Sequence, residues 1–209
     1  MKKGKSPSKG FAKRDLEFLY EIGTLRYVAR TWKRFLNPDF ENLAEHHFRI
    51  VWIALLIAQY EKNVNTEKLM KMALAHDIVE SRVGDVDYLS RQYVIRNDKL
   101  GIADMLGGTA IEKEFLALFA EYEERKSIES KILKDADNLT IDFEIREQEF
   151  KGLRFSDNWK EIRTRVAKEF LFTQTAKNLW KSLQKSNPHD WHKNSRNRFT
   201  SGDWKKKTP

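Results

Sequence analysis

The stretch Ala73-Leu74-Ala75-His76-Asp77-Ile78-Val79-Glu80-Ser81-Arg82-Val83-Gly84-Asp85 decides how this chain reads. It follows an apolar run, Leu69, Met70, Met72, Ala73, Leu74 and Ala75, and then sets an imidazole and two carboxylates close together. On an α-helix each residue advances about 100°, so His76 and Glu80 fall roughly 40° apart and Asp77 and Glu80 roughly 60° apart. All three can face one point. A buried helix carrying these groups needs a compensating charge, and a metal ion would supply it.

Outward from this stretch the pattern is helical. Leu16, Phe18, Leu19, Ile22, Leu25, Val28 and Ala29 recur at helical spacing over residues 12–35, and Asn37-Pro38-Asp39 breaks the run. A heavily apolar helix is expected over 42–62, and another over 66–82 capped by Asn65 or Thr66. Residues 88–100 fit either a helix or a loop. Thr109-Ala110-Ile111-Glu112 matches a capping box opening a helix to about 124. Ser127 should cap the next helix, to about 149, and a last long helix should run from 157 to 185. No segment sustains period-two alternation. The expected class is all-α, a bundle of about seven helices.

The chain has 209 residues, which fits a single domain. No run of about 18 apolar residues suggests a membrane span, and no apolar region follows the charged N-terminus as a secretory signal would require. A cytoplasmic protein with no membrane contact is expected. Cysteine is absent, so any metal must be held by His, Asp or Glu. The net charge of +8 belongs to the ends. Residues 1–14 carry six basic side chains and no acid, and residues 189–209 carry six against two. The body between them is slightly acidic. A nucleic-acid surface would more often show its charge on a folded face, so nucleic-acid binding through the tails is open but not favoured.

Three segments share a pattern: Ala44-Glu45-His46, then His76-Asp77-x-x-Glu80-x-x-x-Gly84-Asp85, then Lys134-Asp135-Ala136-Asp137. In this order they resemble the H…HD…D signature of HD-domain metal-dependent phosphohydrolases, in the branch similar to 5′-deoxynucleotidases. The resemblance covers about residues 15–150. The long final helix, 157–185, and the basic tail lie outside it; with that helix the expected HD domain spans 12–186. A disordered basic tail, 1–11, would precede it and a basic aromatic tail, 187–209, would follow. By position it makes His46, His76, Asp77 and Asp137 ligands of one divalent ion, Mn, Co, Fe, Zn, Ni or Mg. No histidine between Asp77 and Asp137 offers the further ligand that two-metal relatives use. Glu80, helped by Asp77, matches the acid that activates the attacking water. Arg30 matches a phosphate binder, a role that suits a guanidinium fork, and Asp85 a contact to the nucleotide sugar. The implied reaction hydrolyses (deoxy)nucleoside 5′-monophosphates to nucleoside and phosphate, and a homodimer is expected.

The chain departs from the pattern in three places. His47 stands where the branch has Ser, and direct ligation by it is not expected. Thr31-Trp32 follows Arg30 in place of Trp or Thr-Gly-Trp. Val86-Asp87-Tyr88 replaces the Thr-Pro that usually follows Asp85. Two rival functions stay open. One is an HD phosphohydrolase for a cyclic nucleotide, an alarmone or a triphosphate. The other is a nucleic-acid or partner-binding protein that keeps a structural metal site. Glu80 also has a bland alternative, an ion pair with Arg82 or Arg49, and Asp85 has one as a helix cap.

Overall fold

Asn42 opens the helix around which the others pack. Its side chain accepts from the Glu45 N–H while the Glu45 side chain accepts from the Asn42 N–H, closing both ends of a capping box. This helix, α2 (Leu43–Ala58), follows α1 (Lys13–Ile22). After it come α3 (Thr66–Ala75), α4 (Glu80–Val83), α5 (Asp98–Leu106), α6 (Glu112–Glu124), α7 (Ile128–Phe150), α8 (Asp157–Glu169), α9 (Gln174–Leu183) and α10 (Asp190–Lys193). The computed structural model describes residues 11–193 except 38 and 156. Of the expected tails, 1–11 and 187–209, residues 1–10 and 194–209 lie outside the described residues, and the described part of the second holds α10. No strand occurs among the described residues, and none of their helices is long and apolar enough to cross a membrane.

α2 packs on α7 and α3, α3 also packs on α6 and α7, and α9 covers α7. One apolar cluster joins Ile50 and Ile57 of α2 to Leu69 and Met72 of α3 and to Ile132, Leu133 and Leu139 of α7. A second joins Leu25 and Leu43 to Ile78, Val79, Ile102, Met105 and Phe119. α2 and the α3–α4 region contribute to both clusters, and His46, His76, Asp77 and Glu80 lie along the same two segments.

The all-α class stands, but four boundaries differ from the expected ones. The first helix ends at Ile22, and two short 3-10 turns, Gly23–Tyr27 and Thr31–Arg34, replace its second half. Residues between them are extended because Ala29 and Asn42 form an isolated antiparallel bridge, with the Leu43 N–H donating to the Val28 carbonyl. That pairing brings Arg30 to the N-terminus of α2. The expected 66–82 helix breaks at His76–Val79. His76 Nδ1 lies 2.8 Å from the Ala73 carbonyl oxygen, which in a continuous helix would accept from residue 77. The chain then runs on i→i−3 bonds, Glu80 N–H to Asp77 O and Ser81 N–H to Ile78 O. The 100° argument therefore does not apply across this segment.

The expected capping box at Thr109 does not form. Thr109 Oγ1 donates to the Leu106 carbonyl instead, the Glu112 side chain accepts from the Gly108 N–H, and α6 begins only at Glu112. The expected 157–185 helix divides into α8 and α9. Asp135, buried on α7, accepts from the Phe172 N–H at 2.6 Å, the Thr173 N–H at 2.8 Å and Thr173 Oγ1 at 2.7 Å. Thr173 in turn caps α9 through the Ala176 N–H. Burial holds the Asp135 carboxyl above its usual range despite these donors. Asp135→Ala would strand two backbone donors, and we expect it to cost about 1–3 kcal/mol in urea unfolding. An unchanged midpoint would show that the α8–α9 connection is held by packing alone.

Candidate metal centre and cleft

His46 lies on the first turns of α2 and is fully buried. Its Nδ1 is 2.9 Å from Glu41 Oε1 and 3.2 Å from Thr140 Oγ1, which leaves Nε2 facing Asp137 Oδ1 at 3.3 Å and Asp77 Oδ2 at 3.8 Å. His76 is arranged alike: Nδ1 is taken by the Ala73 carbonyl, and Nε2 lies 3.1 Å from Asp77 Oδ2. Both Nε2 atoms are buried without a hydrogen-bond partner. One ligand atom each from His46, His76, Asp77 and Asp137 falls within 4.8 Å of all the others. Two imidazoles with Nδ1 engaged and Nε2 open, beside two carboxylates, form a donor set that fits a divalent cation. The four residues expected as ligands are thus brought together from α2, the α3–α4 turn and α7.

The carboxylates are prepared for that role. Burial raises both acids, but His76 outweighs it at Asp77, and Lys134 with His46 outweighs it at Asp137. Each carboxyl lies below its usual range. Lys134 Nζ holds Asp137 Oδ2 at 2.6 Å, a partner one turn back on the same helix. His47 is not a member of the group. Its ring packs 4.6 Å from that of His76, and burial with His76 nearby pushes its imidazole well below the usual value.

The cleft beside these residues has a volume of about 590 Å³ and is lined by Arg30, Glu80, Asp85, Arg96, Lys134 and Arg163 among others. Arg30 Nη1 lies 3.2 Å from Asp85, 3.9 Å from Asp77 and 4.0 Å from Glu80. Its Nε is buried without a partner. Asp85 follows Gly84, whose φ of +78° suits a residue without Cβ. It is no helix cap: it accepts from the Thr31 N–H at 3.2 Å and so fixes the turn after Arg30. Glu80 pairs with neither Arg82 nor Arg49. Arg96 Nη1 lies 3.1 Å from its Oε1, while Arg82 pairs with Glu21, and Arg49 with Glu144 and Glu147. Trp32 also lines the cleft and meets Trp159 of α8 edge to face at 5.8 Å.

Glu41, Arg96 and Arg163 escaped the sequence reading. Glu41 precedes α2 and sits five residues from His46, off any helical register, and Arg96 lies in the ambiguous 88–100 segment. Glu41→Gln keeps the shape but weakens the charge behind the His46 ring. We expect it to lower metal affinity about 10–100-fold, measured by titration of the metal-free protein. Unchanged affinity would show that Thr140 alone sets the ring.

Comparison with known proteins identifies the family. An HD-domain family model matches residues 22–180. A 5′-deoxynucleotidase HDDC2 of Danio rerio is 34% identical over 140 residues, 64% of this chain and 69% of that one. The 5′-deoxynucleotidase YBR242W of Saccharomyces cerevisiae is 30% identical over 157 residues, 69% of this chain and 65% of its own. A structure described as a predicted metal-dependent phosphohydrolase, from Magnetospirillum magnetotacticum, superposes with a TM-score of 0.62 at 22% identity. It covers 82% of this chain and 90% of that one, and at this identity it speaks for the fold. Since the family model spans most of the chain and two histidines and two aspartates that could hold a metal ion converge where the motif places them, this chain belongs to the HD-domain family.

Proposed function

We propose that this chain is a divalent-metal-dependent phosphohydrolase that releases phosphate from (deoxy)nucleoside 5′-monophosphates. The observation that carries the reading is the pair of orphaned imidazole Nε2 atoms beside two carboxylates, with Arg30 held at 3.9 Å from one of them. Relatives named 5′-deoxynucleotidases support the substrate class. The HD unit at 12–186 supplies every group invoked.

His46, His76, Asp77 and Asp137 would hold the ion, which when bound supplies positive charge for the phosphate and acidifies water. Arg30 binds the phosphate through the side of its guanidinium that its carboxylate partners leave open, and its charge offsets that of the phosphoryl oxygens. Glu80 takes the proton of the attacking water, with Asp77 assisting. Asp85 holds Arg30 and Thr31 and meets the sugar with its remaining acceptor capacity. The water oxygen bonds to phosphorus as the bond from phosphorus to the sugar 5′-oxygen breaks, and the 5′-oxygen leaves as the alcohol by taking up the proton that Glu80 removed from the water. The testing experiment is phosphate release from ribo- and deoxyribonucleoside monophosphates with Mn²⁺, Co²⁺, Mg²⁺ or EDTA. Release should require the ion and stop in EDTA. No release from any monophosphate, by protein shown to hold metal, would overturn the reading and favour another phosphoester.

A further inference from the structure

One face of α2 is left uncovered by the bundle. Phe48, Trp52 and Leu56 follow each other one turn apart and are 70%, 56% and 61% exposed. The Phe48 and Trp52 rings meet edge to face at 6.3 Å. Phe143, Glu144 and Glu147 of α7, with Lys151 just after its end, line the other side of the same groove, whose volume is about 810 Å³. A row of large apolar side chains open to water marks an interaction site more often than a bare surface. The rim has a sign as well. Asp39, Glu41, Glu45, Glu144 and Glu147 stand against only Arg49 and Lys151. Glu41 is 8% exposed, and while its Oε1 holds His46 Nδ1, its Oε2 is buried without a partner.

We propose that this groove docks the chain's own C-terminal segment, residues 194–209, which lies outside the described residues. The segment has the complementary chemistry: Phe199 and Trp204 for the apolar row, and Arg196, Arg198, Lys205, Lys206 and Lys207 with one acid, Asp203, for the rim. It also starts in the right place. The described chain stops at Lys193, just after His189, whose ring lies 6.0 Å from Phe150 at the end of α7. Arg146 of α7 donates to the Ser186 carbonyl on the same approach. Phe150 adjoins Lys151, which lines the groove. The remaining residues reach about 50 Å when extended, several times the roughly 12 Å from Phe48 to Leu56. A second copy docked on this face would set two acidic rims against each other, and a nucleic acid would meet the same repulsion. The inference stands on the groove and the segment, and does not depend on the proposed reaction.

The chain has no cysteine, so an introduced pair is the only thiol pair. Leu56→Cys/Trp204→Cys should form an intrachain disulfide under mild oxidation at least about tenfold faster than Leu74→Cys/Trp204→Cys, as a docked segment raises the effective concentration. Leu74 is exposed on α3, away from the groove, so both variants begin from surface positions that the fold tolerates. Adding Glu45→Lys and Glu147→Lys should remove most of that advantage. Equal rates for the two pairs would overturn the proposal. So would a concentration-dependent interchain disulfide as the main product of Leu56→Cys alone, which would assign the face to a second copy.

Discussion

Asp137→Ala is expected to lower metal-dependent phosphate release about 10³-fold or more in a chain that stays folded, because the ion is what makes water reactive near neutral pH. Asp137 gives one oxygen to the group formed with His46, His76 and Asp77 and the other to Lys134. Removing it leaves a three-residue set with a single carboxylate. The metal-free fold should not suffer. Asp77 and Asp137 crowd two negative charges into one half-buried group, and losing one relieves that repulsion. Lys134 is partly exposed and can return to water. A thermal measurement separates the two effects. The natural chain should gain about 2.7 kcal/mol of stability at a metal concentration a hundredfold above Kd, and the variant should gain little at that concentration. A variant that keeps full activity and the full metal-induced shift would remove Asp137 from the ligand set.

The candidate metal group was legible because each of its residues lies in a local motif whose order along the chain is itself informative. His46 and Asp137 sit on continuous helices, so helical reasoning also placed their apolar neighbours correctly. The break at His76–Val79 was not legible, since it depends on a histidine side chain capturing a carbonyl that local propensity would leave to the backbone. The division of the last helix has a similar cause. Nothing in residues 157–185 stops a helix, and the interruption comes from Asp135, 37 residues away from Phe172, taking the amides that a continuous helix would use. Partners such as Arg96 for Glu80 or Arg163 for Asp142 are set by tertiary contact alone. The bundle and its candidate metal group follow from local pattern, whereas the groups that contact those residues follow from packing.

Glu80→Gln is expected to lower kcat about 10²–10⁴-fold with the ion still bound, the range lost when a positioned proton acceptor is removed. Burial, then Asp77 and Asp85, push the Glu80 carboxyl up to about 9 against the pull of Arg30 and Arg96. A proton acceptor must first be ionised, so the rate should climb with pH as Glu80 loses its proton. A divalent charge held by the four ligands favours the ionised carboxylate and moves that climb to lower pH. Arg96 acts in the same direction, so Arg96→Gln should shift the limb to higher pH, and Glu80→Gln should abolish it. Stability gives a second reading with the opposite sign. Between the ordinary glutamate value of 4.5 and about 9, the folded metal-free chain binds a proton that the unfolded chain has released. Its stability from this group is therefore full below about 4.5 and declines as pH rises toward 9. Urea unfolding in EDTA at several pH values should show that decline in the natural chain and a flatter profile in Glu80→Gln. A variant with unchanged kcat and an unchanged stability profile would mean that Glu80 neither accepts the proton nor holds one in the metal-free chain.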